Sequence, residues 1–456
     1  MTQDILGQTT TLPTGAALNH WNATQMAFLA HGAATPTHLA ATLAAAPGFA
    51  LAHGVKGIFH VLLGRREMLP TAHEALALAR ASLAQDPASL RETAIVAALG
   101  DWLGGNIADA LARFQAVLAA NPTDTLVLKL DHALRFVMGD APGMRRAVEA
   151  ALPAHGDDHP ARGYVLGCHA FALEETGSYT RAQAAGRLAL QICPDDAWGL
   201  HAVAHVHDMT GDAVGGLDWL TGREAAWAHC NNFRYHVWWH KALMHLDLRQ
   251  TQEVLALYDL EIRADRTDDY RDISNASSLL MRLELDGVDV GARWGELADL
   301  SAARTEDGSL IFADLHYLLA LVGDNRADAI STLVARLHRD ARAQSSQMHR
   351  AMERPGLSAA AGLEAFGEGR YDTAFLNLAH ARQTMQAAGG SHAQRDVFER
   401  LTIDAGIRAG YLDEAQAILA ARTAKRAGRE DGYAAARRAL IAQVTDAACV
   451  GRVPAE

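Results

Sequence analysis

The stretch GSYTRAQAAGRLALQICPDDA, residues 177–197, reads as a tight turn, one amphipathic helix and an exit. Gly177 suits a chain reversal that a Cβ would hinder, and Tyr179 follows as the aromatic of the turn. Ala182 and Ala189 fall at helical spacing, where a small side chain lets a second helix approach, and Pro194 ends the run. The offsets return in GNIADALARFQAVLAANPTD (105–124), through Gly105, Ile107, Ala110, Phe114 and Pro122. They return again in GRYDTAFLNLAHA (369–381), through Gly369, Tyr371, Ala374 and Ala381, and in GYLDEAQAILA (410–420), through Gly410, Leu412, Ala415 and Leu419.

Gly105 and Gly177 lie about two periods apart for a unit of roughly 34 residues, the length of a tetratricopeptide repeat. Such helix pairs cannot bury their apolar faces alone and must stack. The expected fold is therefore all-α: a right-handed α-solenoid of divergent tetratricopeptide-like helix pairs with a concave inner face. The alternative is an irregular helical bundle with Gly-rich turns. Alternating β-branched runs are almost absent, and Gly, Asn, Asp or Pro breaks the helical pattern about every 12–18 residues. Pro87, Pro122 and Pro194 fall where helix pairs would end. The polar stretches 155–163 and 263–272 read as inter-helix loops, not domain boundaries. One continuous repeat domain is expected over 20–446, with an N-terminal extension at 1–19 and a tail at 447–456.

Half of the 456 residues are hydrophobic, which excludes wholesale disorder, and 21% are charged. Acids outnumber Lys plus Arg by 53 to 41, for a net charge of −12. No basic stripe offsets that field, so nucleic-acid binding is not expected. Cys168, Cys193, Cys230 and Cys449 stand singly, without metal or disulfide spacing. The polar start MTQDILGQTTTLPTG lacks a secretory pattern, and no run of about 18 apolar residues offers a membrane span. A soluble, cytoplasmic protein is the expectation.

Histidine is the unusual residue. Of 22 in the chain, seven (His201, His205, His207, His229, His236, His240 and His245) fall between 201 and 245, where uniform scatter would place roughly two. HAVAHVHD puts His201 and His205 one turn apart on one helix face, and HVWWHKALMH does the same for His236 and His240. Two facing pairs would make a four-His site, or three His and a carboxylate from Asp208 or Asp218, able to take zinc, iron or manganese. Two blander alternatives stand beside it: a metal-free polar pocket, and histidines hydrogen-bonded in the core. A third such pair, His155 and His159, lies in a loop. HExxH, Walker, GxGxxG and GxSxG signatures are absent, and Cys168 and His169 diverge on a helix.

Trp198, Trp219, Trp227, Trp238 and Trp239 cluster in the same region, as core or as a pocket wall. Asp314 and His316 alternate in ADLHY, and Gln394, Arg395 and Asp396 open a helix after Gly389 and Gly390. Ser391 is the natural cap of that helix. An Arg beside an Asp serves as an ion pair between repeats or recognises a carboxylate or phosphate.

At these residues the chain resembles the tetratricopeptide repeat protein 38 family, from about residue 20 to 445. The resemblance is carried by NPTDTLVLKLDHALRF (121–136), PDDAWGLHAVAHVHDM (194–209), YHVWWHKALMHL (235–246), FADLHYLLALVG (312–323) and, most specifically, GGSHAQRDVFERL (389–401). It implies an α-solenoid, and implies that His201, His205, His207, His236, His240, Asp314, His316 and the 394–396 triplet match the family pattern. Departures are Val237 for a usual Asn, Asp208 for a usual Glu, and His392 for a polar amide. No activity follows from the resemblance.

Two functions remain open. The first is a binding module that takes a small molecule, peptide or protein in a concave His/Trp-rich pocket, with Trp239, Asp314, His316, Gln394, Arg395 and Asp396 as ligand contacts. The second is an enzyme on the same scaffold, with a hydrolase as the default. There His201, His205, His236 and His240 would hold a divalent metal or act as acid and base, Asp208 or Asp314 would orient an imidazole, and Arg395 would bind an anionic substrate group. A homodimer is compatible with either.

Overall fold

The computed structural model describes residues 2–85 and 88–450, without the side chains of 447–450. Pro87, Cys449's side chain and residues 451–456 of the expected tail lie outside the described residues. The architecture is all-α, with one small exception at the start, where Thr2–Gln3 pairs antiparallel with Thr9–Thr10. The first helix is Ala16–Leu29 and the last Gly432–Val450, so the boundaries expected at 20 and 447 fall inside helices.

All four repeat copies are helix pairs. Leu90–Leu103 turns at Gly105 into Ile107–Ala120, and Arg162–Glu175 turns at Gly177 into Tyr179–Ile192. Leu357–Gly367 turns at Gly369 into Tyr371–Arg382, and His392–Ala409 turns at Gly410 into Leu412–Lys425. The turn glycines take φ of +81°, +77°, +73° and +85°, a region where a Cβ is strained. Ala110, Ala182, Ala374 and Ala415 are wholly buried at the helix contacts, as the small-residue pattern requires. Pro194-Asp195-Asp196 also has a second use. The Asp196 carboxylate caps the next helix, accepting from the Gly199 N–H at 3.2 Å, and Asp124 does the same for Val127 at 3.1 Å.

Further pairs escape the glycine pattern because other residues take the left-handed position. Arg249 (φ 58°) follows the helix Phe233–Asp247, and Asn325 (φ 54°) follows Ile311–Gly323. The stretches 155–161 and 263–269 are loops between helices.

The superhelix brings segments far apart in the chain into contact. Near the start, the Ala33 N–H donates to the His229 carbonyl at 3.0 Å and the Asn231 N–H to that of His31 at 2.8 Å. Arg304 pairs with both Glu67 and Asp268. From the other end, the helix His392–Ala409 packs against Tyr270–Leu285. The Tyr179 hydroxyl donates to the Lys425 carbonyl at 2.7 Å, and Arg426 meets Asp208 at 2.9 Å. The two largest apolar clusters run from Leu6 to Ala202 and from Trp239 to Leu401, with a smaller one, Ala197 to Met244, between them. The histidine-rich helices lie at the seam between them.

Among the described residues no helix is long and apolar enough to cross a membrane.

Candidate metal centre at the seam

Two facing helices supply the four imidazoles. Ala197–Met209 carries His201 and His205, and Phe233–Asp247 carries His236 and His240. One turn of spacing puts each pair on a single face, and the Nε2 atoms converge. His201 Nε2 is 2.8 Å from His205 Nε2 and 2.9 Å from His236 Nε2, and His236 Nε2 is 3.2 Å from His240 Nε2. One nitrogen from each of the four lies within 4.8 Å of all the others. His201, His205 and His240 are buried, while His236 is partly exposed.

Hydrogen bonding among the imidazoles does not account for this arrangement. A neutral imidazole nitrogen has either one in-plane proton or one in-plane lone pair, so it satisfies one partner. His201 Nε2 and His236 Nε2 each face two. If His205 and His240 donate, the contact between His201 and His236 sets lone pair against lone pair. A cation at the common focus resolves all four: metal–nitrogen bonds of about 2.0–2.1 Å in a tetrahedron put the nitrogens roughly 3.4 Å apart. These three spacings need to open by about 0.2–0.6 Å.

The outer shell points the same way. His236 Nδ1 lies 3.2 Å from Asn275 Oδ1, and the same oxygen accepts from Gln394 Nε2 at 3.2 Å. An oxygen acceptor puts the proton on Nδ1 and leaves the Nε2 lone pair aimed at the cluster. His205 Nδ1 faces the Glu174 carboxylate at 3.4 Å. Aromatic faces fix the rings: Trp239 stacks on His236 with centroids 5.3 Å apart, and Phe171 stacks on His201 at 5.5 Å. Burial, followed by the neighbouring imidazoles, holds His201 and His240 well below the ordinary histidine value. Burial and His205 take His236 down to about 3. These rings are neutral near pH 7 and carry lone pairs.

Beside them sits a carboxylate–imidazole group. His392 Nε2 is 2.6 Å from Glu174 Oε1, and the His392 backbone N–H donates to Glu175 Oε1 at 2.9 Å. Burial disfavours the His392 cation, but Glu174 and Glu175 outweigh it and raise His392 to about 9. Burial likewise opposes the Glu174 anion, yet His392 and His205 draw it down to about 2.

The structure gathers His201, His205, His236, His240, Trp239 and Gln394, and sends the other expected site residues elsewhere. Asp208 orients no imidazole; it pairs with Arg426, and Glu174 takes the place facing His205. Asp314 and His316 diverge, because positions two apart on a helix face opposite sides. Asp314 pairs with buried Arg336, while His316 Nδ1 meets the Phe312 carbonyl at 2.7 Å between the rings of Phe312 and Phe398. Arg395 is engaged within the fold: its guanidinium donates to the Gly389 and Gly390 carbonyls and to Gln386, and lies 3.7 Å from Glu175. Asp396 pairs with Arg400 at 2.7 Å and Arg422 at 2.6 Å. With Asp208, Arg282 and Asp431 it lines a separate cavity of about 20 Å³, room for about one water. Gln394 is part of the helix cap after all, since Ser391 and Gln394 form a reciprocal capping box.

Glu174, Asn275 and His392 enter the site without having been singled out as site residues. Their signals were faint: a Glu-Glu pair before the Gly177 turn, a polar SNASS run inside a helix, and a histidine behind a Gly-Gly-Ser turn.

A surface groove of about 670 Å³ is lined by Arg187, Leu190, Pro194, Asp195, Trp219 and Arg223. In it the Trp219 ring is flanked by the guanidinium groups of Arg187 at 4.5 Å and Arg223 at 4.6 Å. Trp219 Nε1 donates to the Leu200 carbonyl at 3.0 Å, one residue from His201.

No family model matches the chain. Among solved structures, a chain from a complex described as Naa15/Naa10 bound to HypK-THB aligns with 90% of this chain at 13% identity and a TM-score of 0.26. The alignment spans 64% of that chain, less than two thirds of its length.

Proposed function

We propose that this chain is a helical-repeat binding protein, braced at its seam by one divalent transition metal on the Nε2 atoms of His201, His205, His236 and His240. The observation that carries this reading is that two of those nitrogens each face two others at 2.8–3.2 Å, which hydrogen bonds alone leave unsatisfied. An all-imidazole set favours zinc or iron over manganese, which prefers oxygen. Four protein ligands close the coordination shell, the form of a structural centre, whereas hydrolysis needs an open position for water. Binding is therefore favoured over the hydrolase alternative. The proposed partner is an acidic peptide segment in the groove of Arg187, Trp219 and Arg223, where two guanidinium groups meet carboxylates. The metal supports that groove through His201 and the Leu200 carbonyl that holds Trp219. Free Cys168, Cys193 and Cys230 fit a reducing, cytoplasmic setting. Membership of the tetratricopeptide repeat protein 38 family is part of the proposal, since two of the resembling segments carry the four ligands.

Elemental analysis of the purified chain tests the centre. Stoichiometric zinc or iron is expected, lost in His201→Ala and in His240→Ala with the helical content kept. Metal-free protein that takes up no zinc on dialysis would sink the reading. A glutamate-rich fluorescent peptide tests the groove: its affinity should fall at least tenfold in the Arg187→Ala, Arg223→Ala double variant and on chelation.

A further inference from the structure

We propose a second metal site, in which Glu174, Glu175 and His392 hold a cation that shares the imidazole of His205 with the first. It rests on the four-histidine reading and adds an imidazolate-bridged pair of ions to it.

His205 turns one nitrogen to each group. Its Nε2 meets His201 at 2.8 Å, while its Nδ1 lies 3.4 Å from Glu174 Oε2, outside good hydrogen-bond geometry, and has no other partner among the described residues. That carboxylate oxygen also has no other partner among the described residues, and both side chains are 0% exposed. At 3.4 Å the two atoms make only a long, weak contact with each other, and a cation between them satisfies both more fully. His392 completes the set from the opposite side, 2.6 Å from Glu174 through Nε2 and 3.5 Å from Glu175 through Nδ1. One donor atom from each of Glu174, Glu175, His205 and His392 lies within 4.8 Å of the rest. Arg395, 3.7 Å from the other oxygen of Glu175, steadies that carboxylate. The mixed nitrogen–oxygen set suits zinc and related ions.

Charge permits the pair: with the His205 and His392 protons gone, the second dication leaves the net charge of the cluster unchanged. A dication bound by four neutral imidazoles places two uncompensated positive charges in the interior, which is expensive. Glu174 and Glu175 bring two negative charges within one imidazole of it. When the second ion binds, the remaining N–H proton of His205 leaves to solvent, and the freed electron pair becomes the Nδ1 donor. The proton between His392 and Glu174 leaves in the same way. Entry is from the side of His392, whose side chain is 22% exposed.

The test is metal stoichiometry of the full chain after dialysis against zinc, with circular dichroism to verify folding. Two ions per chain are expected, falling to one in His392→Ala and in Glu175→Gln, and to one or none in His236→Ala. One ion in the unsubstituted chain, unchanged in His392→Ala, overturns the second site and leaves the first standing. No ion at all overturns both. Copper(II) loading then tests the bridge. A shared imidazolate couples the two spins, so the low-temperature resonance should account for well under half of the copper present. Two coppers with full, independent signals overturn the sharing of His205.

Discussion

Asn275 Oδ1 accepts hydrogen bonds from His236 Nδ1 and Gln394 Nε2 at 3.2 Å each. Removing that oxygen frees the imidazole to swap tautomers and turn its proton toward the cluster. Asn275→Ala should weaken zinc binding by about 10–100-fold in competition with a chelator, while the fold survives. Protons act on the same residues. In the metal-stripped chain, His201, His236 and His240 stay neutral when folded but bind protons near 6.5 when unfolded. Below that pH the unfolded chain takes up more protons, so stability falls with acid, by about 1.4 kcal/mol per histidine one unit below its unfolded value. His392 works in the opposite sense: its folded value of about 9 gives stability that is full below 6.5 and lost as pH rises through 9. Urea midpoints of metal-free protein should therefore peak near pH 6.5. His392→Gln should flatten the alkaline limb.

At the level of elements, glycines of two kinds set the helix pairs. Gly177 has φ +77° with nothing within 4 Å of the place a Cβ would occupy, so Gly177→Ala meets backbone strain alone, about 1 kcal/mol. Gly186 sits inside its helix, where a Cβ would come within 2.6 Å of Val203 Cγ2 and 2.8 Å of the Gly199 carbonyl. Gly186→Ala should cost more, about 1–3 kcal/mol, and should also loosen the metal, because it pushes away the helix that carries His201 and His205. Thermal melts and zinc retention of the two variants read the difference. The C-terminal helices are tied by a buried arginine, Arg422, between Asp396 and Asp431. Asp396→Ala strips that guanidinium of one partner and should cost about 3–5 kcal/mol with metal content unchanged. Loss of metal in that variant would return Asp396 to the site.

For the whole molecule, contacts between distant segments change how a repeat array should unfold. An open solenoid couples only neighbours and can unravel piecewise. Here residues about 200 apart meet at His31 and Asn231, and Glu174 meets His392 across the seam. Unfolding followed by far-ultraviolet dichroism and by tryptophan fluorescence should superimpose, and hydrogen exchange should protect the 30–33 and 229–231 segments together. Two separated transitions would show that the halves are independent.

The helix pairs, their turns and the two one-turn histidine pairs were legible in the chain because each is a local relation: a glycine two residues from a large apolar or aromatic side chain, an alanine at helical spacing, imidazoles four apart. Arg249 and Asn325 hid two turns, since neither carries glycine's mark. Sequence alone determined an all-α repeat and placed four imidazoles on two helix faces. Only the folded chain decided that those faces meet, that Glu174 and not Asp208 stands behind His205, and that Asp314, Arg395 and Asp396 are spent on ion pairs and backbone carbonyls. The reason is physical. Periodicity reports which side of its own helix a residue occupies, whereas its partner across the seam is set by how the superhelix brings distant segments together, through contacts as far apart in the chain as Glu174 and His392.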